Sequence, residues 1–580
     1  MRSVEAMPSS RYKLVTEEKA GGATYTPSSL AGFVADQIYR AAHNRAGRET
    51  IKVLDPATGD GELLISLLAR LDRADAGAIE VHGFETDIRA LNITTARIKQ
   101  QFPKVILHLT HGSFLEFVLD QMCQCGSGDL FKRGVAQTYD LIIANPPYVR
   151  TQIMGAEQAQ LLSSQFRLTG RVDLYYAFIV GMAYVLKPGG LGGIIVSNRF
   201  MTTKSGGTVR QAIREYFNVR HVWDLGDTKL FDAAVLPAVL LVEKQEGSQQ
   251  TAAGFTSIYT TTNTPTQQAT DVIAALGRDG VVAVDDGRCF TVKNGQLDIR
   301  TPMDAVWRVK TAISDNWLTM VEAHTWRRFG DIGKIRVGVK TCADKVFIRS
   351  DWDTMPESIR PELLRPLTTH HVARRFRVSE EKKVRHILYP HESLNGRRRV
   401  SDLSLYPKAR AYLEKHRGTL EARTYVIEGG RQWYEIWVPH DPSSWDAPKL
   451  VFRDISEMPI FWLDLEGNVV NGDCYWLLCE KPEDTELLWL AAAVANSTFI
   501  ESFYDHSFNN KLYAGRRRFI TQYVERFPLP DPTLPGNRTI IAMAKRIYDL
   551  IGSSEANAIA VELDKLVWEA FGVLAEEVIR

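Results

Sequence analysis

Tyr139-Asp140-Leu141-Ile142-Ile143-Ala144-Asn145-Pro146-Pro147-Tyr148 decides how the rest of the chain is read. Leu141, Ile142 and Ile143 form a short apolar run suited to a strand buried in the middle of a parallel sheet. Two prolines in succession end it, because neither can donate to a ladder. Asn145 is therefore expected at the carboxyl end of a strand, where open α/β sheets place their ligands. A side-chain amide, a proline carbonyl and an aromatic ring stand together there. Such a set suits a planar ligand with an exocyclic NH2, offering two acceptors for its hydrogens and a ring to stack on. A proline-broken strand end with an Asn turn is the plain alternative.

Upstream, Ile51 to Leu64 reads as a strand ending at Asp55, a tight turn through Gly59 and Gly61, and a helix starting near Glu62. The turn carries acids, Asp55 and Asp60, where a dinucleotide fingerprint would have to admit a pyrophosphate. Acids suit a phosphate-free, cationic ligand bearing an ammonium and a sulfonium. The next strand, Ile79 to Glu85, ends in a carboxylate placed to accept ribose hydroxyls, with Asp87 as the alternative. Val105 to Leu109 is a further strand, leading to Gly112-Ser113-Phe114. Downstream, Gly192 to Val196, Val219 to Trp223 and Ala238 to Val242 continue the alternation, with helices between. From about 51 to 245 the pattern predicts one parallel, doubly wound sheet with a late hairpin.

The bulk numbers set the frame. A chain of 580 residues implies two or three domains, and 45% hydrophobic with 24% charged residues describes a globular protein. The net charge of +1 leaves any basic face to be found in the distribution. Six cysteines with no paired C-x-x-C spacing argue against zinc or a disulfide framework, so no metal and a reducing cytoplasm are expected. The polar stretch Met1 to Ala20 is no secretory signal, and no apolar run approaches a membrane span, so no membrane partner is expected.

Asn145-Pro146-Pro147-Tyr148 resembles the catalytic motif of the S-adenosylmethionine-dependent amino-methyltransferases, including the N6-adenine DNA methyltransferases. The segment Tyr25-Thr26-Pro27 before a helix is similar to the family motif that closes over the methionine end of the cofactor. Asp55-Pro56-Ala57-Thr58-Gly59-Asp60-Gly61 resembles the family's first cofactor motif. The order of these motifs, with a large C-terminal extension, is that of the gamma class, whose best-known branch is the Taq-type enzymes.

The resemblance implies S-adenosyl-L-methionine as cofactor, held by Tyr25, Thr26, Asp55, Ala57, Gly59, Gly61, Glu85, Ser113, Phe114 and Asn145. Relatives usually carry an Asp where Ser113 stands, so adenine recognition is expected from Ser113, from backbone groups or from stacking on Phe114. The catalytic set implied is Asn145, Pro146, Pro147 and Tyr148, with Phe231 as the second ring around a flipped base.

Beyond Gly247–Thr270, which is rich in Thr, Gln, Ser and Gly and reads as a linker, the character changes. Basic residues gather at Arg365, at Arg374, Arg375 and Arg377, at Lys382, Lys383 and Arg385, and at Arg397-Arg398-Arg399. Asn509 to Phe519 mixes amides, aromatics and arginines, including Asn510, Lys511, Arg516 and Arg517. Such sets serve phosphates and base edges, although basic runs are often only solvated faces. Phe329 to Thr341 looks like the start of the family's DNA-recognition domain. Ile540, Ile541, Met543, Ile547 and Leu550 have the spacing of amphipathic helices.

The expected architecture is α/β: a Rossmann-like S-adenosylmethionine-dependent methyltransferase domain plus a mixed α+β C-terminal DNA-recognition domain. The boundaries are an arm over 1–20, the catalytic domain over 21–245, a linker over 246–270, target recognition over 271–530 and a helical region over 531–580. The expected activity is N6-adenine methylation of double-stranded DNA, with a cognate restriction endonuclease acting separately. A protein-glutamine methyltransferase would not need some 300 arginine-rich residues. A modification subunit of a multisubunit complex would carry a helical domain ahead of motifs that here begin by residue 25. A DNA-binding relic would have no use for an intact Asn145 to Tyr148.

Overall fold

The computed structural model describes Thr26–Val573, apart from 43–49, 74–76, 125–137, 149–159, 161–163, 167, 169–172, 204–205, 231–235, 246–251, 299–305, 311, 380–384 and 509–515. It divides into two compact units, Met1–Thr311 with Tyr513–Gly515, and Ala312–Leu512 with Arg516–Arg580.

The first unit is built on one sheet. Its first seven strands are β1 (Thr50–Asp55), β2 (Ala78–Glu85), β3 (Ile106–His111), β4 (Tyr139–Ala144), β5 (Leu186–Ser197), β6 (Phe217–Asp224) and β7 (Pro237–Lys244). They lie in the order β3-β2-β1-β4-β5-β7-β6, the first five parallel and β7 antiparallel to both neighbours. The helices are α1 (Ser28–Ala42), α2 (Glu62–Arg73), α3 (Ile88–Gln101), α4 (Phe114–Gln124), α5 (Leu174–Val185) and α6 (Gly207–Tyr216).

Every residue of β4 is buried. Alternate side chains point to opposite faces of a strand, and the two cores divide β4 accordingly. Leu141 and Ile143 join α1, α2 and α3 in one core, while Ile142 and Ala144 join α4, α5 and α6 in the other. The apolar run that opened the sequence reading is thus the central strand of a doubly wound sheet. At its amino end, Asp140 Oδ2 accepts from the Lys52 N–H at 2.9 Å and both carboxylate oxygens meet Lys187 Nζ at 3.0 and 3.1 Å, which fixes the strand in place.

The sheet continues where a linker was expected. β8 (Gly254–Thr260) pairs in parallel with β6, from His221↔Gly254 to Asp224↔Ser257. Beyond it come β9 (Gln267–Ala269), β10 (Gly280–Val284), β11 (Cys289–Asp298) and β12 (Arg308–Lys310), completing twelve strands. The expected linker over 246–270 and the boundary at 271 are therefore corrected: the first unit runs through Thr311. Phe255 and Ile258 supply its apolar positions, and Thr256 and Ser257 are buried beside them, so a polar composition concealed a core strand.

The second unit is mixed α+β. One four-stranded sheet orders Ile335–Val337, Cys474–Leu478, Lys449–Arg453 and Phe461–Asp464, and another orders Ile348–Arg349, Arg385–Leu388, Leu364–Thr368 and Val469–Val470. Helices Glu486–Ala495, Thr498–Phe508, Pro535–Asp549 and Ser554–Ala570 share one apolar core with the first of these sheets. The helical region expected from 531 is thus part of this unit. Among the described residues, no helix is long and apolar enough to cross a membrane.

Candidate functional site

The carboxyl ends of β1, β2 and β4 come side by side, because β1 pairs with both neighbours. Asp55 ends β1 with no exposure. Its Oδ1 accepts from the Ala57 N–H at 3.0 Å, and its Oδ2 is buried without a hydrogen-bond partner. Burial raises this carboxyl's pKa to about 7, so the acid holds its proton far above the usual range.

Glu85 ends β2, and its carboxylate is locked by backbone. Oε2 accepts from the Gly59 N–H at 2.9 Å, and Oε1 accepts from the N–H groups of Thr86 at 2.8 Å and Asp87 at 2.9 Å. One acceptor position on Oε2 remains for a further donor, short of the two-hydroxyl grip read from sequence. Asp87, the alternative, is occupied as the N-cap of α3, accepting from the Arg89 N–H at 2.8 Å.

Gly59 and Gly61 both have left-handed backbone, with φ of +52° and +83°. At Gly61 the need is internal packing: a Cβ there would stand 2.8 Å from Thr94 Cγ2. Thr94 Oγ1 donates to the Gly59 carbonyl at 2.8 Å, so α3 braces the whole turn. The sequence reading gave both glycines to a ligand's approach, and for Gly61 the structure supplies a different reason.

Asn145 follows β4, and both ends of its amide are engaged. Nδ2 donates to Thr26 Oγ1 at 2.9 Å, and Oδ1 accepts from the Tyr148 hydroxyl at 2.8 Å. Thr26, 119 residues away in sequence, is thereby brought onto the tetrapeptide. Pro146 is buried, while Asn145, Pro147 and Tyr148 are half-buried. The Tyr148 ring packs edge-on to Tyr175 with centroids 6.1 Å apart, and burial raises its phenol above the ordinary tyrosine value.

Other expected residues divide three ways. Ser113 is half-buried between β3 and α4, just past the carboxyl end of the strand that pairs with β2. Phe114 is 1% exposed, with its ring 5.7 Å from both Phe84 and Phe178. It is a core ring with no face left for a ligand, which corrects the stacking role. Tyr25, Phe231, Asn510 and Lys511 lie outside the described residues.

The basic residues of the second unit are also re-sorted. Arg375 Nη2 meets Glu501 Oε1 at 3.4 Å and its Nε donates to the Pro459 carbonyl. Arg377 lies over the Tyr548 ring at 5.2 Å. Arg517 grips Asp505 with two bonds of 2.8 and 2.9 Å at 12% side-chain exposure. Arg517 is thus spent within its own unit, which corrects the expectation of a DNA contact from it, while Arg375 and Arg377 are half-buried and have contacts inside the unit. Arg374 and Arg516 are exposed. So are Arg397, Arg398 and Arg399, on a two-stranded hairpin joining His391–Leu394 to Arg397–Val400.

One polar network escaped the sequence reading. Asp224, Asn198 and Tyr259 form a buried set near the ends of β5 and β6. Its only signal was a strand-terminal acid, the pattern already met at Asp55 and Glu85. Glu80, His82 and His108 bring three metal-type donors together on β2 and β3, but Glu80 is already paired with His82 at 2.7 Å and Lys52 at 3.1 Å.

Residues 70–231 match the Eco57I restriction-modification methylase family, and 395–529 match the TaqI-like C-terminal specificity domain. The chain is 37% identical to the type II methyltransferase M.BanIII of Aneurinibacillus aneurinilyticus over 578 residues, 97% of this chain and 98% of the relative. The chain belongs to the type II methyltransferases. A more distant member, M.PaeR7I of Pseudomonas aeruginosa, is 24% identical over 88% of this methyltransferase and 86% of its own length. The solved structure of the type IIL restriction-modification enzyme MmeI in complex with DNA covers 96% of this methyltransferase and 77% of that chain. Its TM-score is 0.58 at 15% identity, a likeness of fold.

Proposed function

We propose that this type II methyltransferase moves a methyl group from S-adenosyl-L-methionine to N6 of an adenine turned out of double-stranded DNA. Family membership makes it a DNA methyltransferase of the restriction-modification kind. A cognate endonuclease acting separately, and a cytoplasmic setting, belong to the same reading.

The observation that carries the proposal is Asn145, fixed between Thr26 and Tyr148 at the strand end beside Asp55 and Glu85. The exocyclic nitrogen of adenine is a poor nucleophile because its lone pair is delocalised into the ring. Asn145 Oδ1 is a hydrogen-bond acceptor, here of the Tyr148 hydroxyl, and the proposal gives it one hydrogen of the amine. With the Pro146 carbonyl as the other acceptor, it takes the two N6 hydrogens and localises the nitrogen pair. Positioning and hydrogen bonding supply the rate. Tyr148 stacks on the base, and Phe231 is the second ring. In a duplex this nitrogen is out of reach until the base leaves the stack.

The donor set fits the cofactor. Asp55 Oδ2, buried and without a partner, suits an ammonium, and the open position on Glu85 suits a ribose hydroxyl. Thr26, Ala57, Gly59 and Ser113 complete the expected contacts. When bound, the cofactor supplies an electrophilic methyl group on its sulfonium. Protein residues then hold it, exclude water and orient the amine.

DNA engagement falls to the second unit, where Arg374, Arg516 and the Arg397–Arg399 hairpin offer exposed cations. A two-stranded ribbon fits the major groove. Asn510 and Lys511 join this set by sequence.

Asn145→Ala tests the proposal. Methyl transfer should be lost while cofactor affinity by calorimetry stays close to wild type, since Asn145 acts on the amine. Mapping modified bases in a methylation-free host should show N6-methyladenine at one recurring site with the wild type and none with the variant. A variant with wild-type turnover, or modification confined to cytosine, sinks this reading.

A further inference from the structure

Strand pairing at one side of the first unit's sheet gathers three side chains of metal-binding type. β2 and β3 run parallel, with Glu80 opposite Ile106 and His82 opposite His108. Residues two apart on a strand share a face, so Glu80 and His82 stand together, and His108 joins them from across the pair. One oxygen is their meeting point. Glu80 Oε1 lies 2.7 Å from His82 Nε2 and 3.8 Å from His108 Nε2. All three donor atoms fall within 4.8 Å of one another. The two imidazole rings have centroids 4.9 Å apart and planes tilted by 31°.

The bonds Glu80 already makes do not close this arrangement to an ion. Lys52 Nζ sits on Oε2 at 3.1 Å, which leaves Oε1 facing the rings. Metal-binding carboxylates are held from outside by hydrogen bonds in the same way. The contact between Oε1 and His82 is one that a cation replaces: the ring carries its proton on Nδ1, and Nε2 presents a lone pair. Tyr139 packs edge-on to the His82 ring at 5.2 Å and restrains it. Ligands of a tetrahedral zinc ion, each about 2.1 Å from it, stand roughly 3.4 Å from one another. The distances of 2.7 and 3.8 Å bracket that spacing, so small side-chain shifts suffice. A plain ion pair would need Lys52 alone, and gives no reason for two imidazoles around the opposite oxygen.

We infer that Glu80 Oε1, His82 Nε2 and His108 Nε2 form a site for a divalent transition-metal ion of the zinc type, with water as the fourth ligand. Two imidazoles and a carboxylate are a donor set that suits zinc. The expectation of no metal rested on cysteine spacing, and these ligands require no cysteine. The ion stands apart from methyl transfer, because Glu80 precedes Glu85 by five residues on one strand, roughly 16 Å along it. Its role is mechanical. Among the described residues β3 forms one edge of the sheet, and none of its six residues is buried. An ion shared by β2 and β3 secures a strand that burial holds weakly.

The test is calorimetric titration with zinc chloride of untagged, full-length protein that has been stripped with EDTA and returned to EDTA-free buffer. The wild type should take up one zinc ion that Glu80→Gln, His82→Ala and His108→Ala each weaken. The loss should be at least the ten- to hundredfold, on the order of what removing an outer-shell partner costs. Zinc should raise the melting temperature of the wild type, as an ion bound by the folded state alone does, and leave that of His108→Ala unmoved. In EDTA, His108→Ala should methylate DNA at the wild-type rate. No uptake by the wild type would overturn the inference, as would equal affinity in the wild type and all three variants, the mark of zinc held elsewhere on the chain. A slow His108→Ala enzyme in EDTA would overturn it too, because the cluster would then serve the protein without an ion. Should Glu80→Gln or His82→Ala fail to fold, His108→Ala carries the test, since its side chain is 53% exposed. Zinc uptake is read without DNA, so the outcome is independent of which base is methylated.

Discussion

On the proposed reading, in which Asp55 receives the cofactor's ammonium, one carboxyl ties cofactor binding to pH. In the unfolded chain it titrates near its ordinary value of 3.8, and in the fold burial raises that to about 7. Between those values the folded state keeps a proton that the unfolded state has released. Its contribution to stability therefore falls as pH rises from about 4 towards 7, and stays at the lower level above. An ammonium partner needs the ionised form, so affinity for S-adenosyl-L-methionine should rise as pH rises through 7. Asp55→Asn should flatten that rise, weaken binding on the alkaline side and leave the melting temperature equal or higher. Calorimetry and melting curves at about pH 6 and about pH 8 check both signs. The places of Asp55 and Asn145 at strand ends were legible because a short apolar run closed by an acid, or by an Asn before two prolines, marks where a strand stops. Phe114 and Arg517 were misread for the opposite reason: an aromatic or an arginine serves a core or an ion pair as readily as a ligand. The bond between Thr26 and Asn145 could not have been found by spacing, since 119 residues separate them.

At the scale of the element, the hairpin His391–Leu394/Arg397–Val400 closes on Asn395-Gly396, both with positive φ, +52° and +69°. That is the tight turn whose twist suits a two-residue hairpin. Arg397 and Arg399 then share one face and Arg398 takes the other, where its Nη1 donates to the Pro439 carbonyl. Replacing Arg397 and Arg399 with Ala should weaken binding to every DNA sequence. It should also reduce the salt slope by about one for each phosphate no longer neutralised. Filter binding across a salt series checks this, and an unchanged slope would remove the hairpin from the interface. Arg375→Ala is the contrast: with half-buried Glu501 left only the longer pair with Arg517 at 3.8 Å, it should lower the melting temperature and spare the salt slope. The alternation of strands and helices from β1 to β7 was readable because each strand is an apolar run flanked by turn residues. β8 was not, because its buried positions include Thr256 and Ser257.

At the scale of the whole molecule, the seam between the two compact units lies at Thr311, far beyond the change of composition near 247. A fragment ending at Thr311 should stay soluble and bind cofactor, yet lose selective DNA binding, because exposed cations of the second unit would be gone. One ending at Lys244 should aggregate, since it leaves β6 as an open apolar edge. Gel filtration and calorimetry on the two fragments distinguish these outcomes, and a well-behaved cofactor-binding fragment ending at Lys244 would contradict the extended sheet. The same continuity governs how the protein comes into being on the ribosome. Chains are made from the amino end at about 5–20 residues per second, and domains tend to fold as units. All residues proposed for catalysis have been synthesised by Phe231, but β8 to β12 have not. A nascent chain therefore holds its whole reactive set before the sheet that carries it is complete. Stalled or prematurely terminated products should remain silent towards DNA, and selective activity should begin only when the second unit has been made as well.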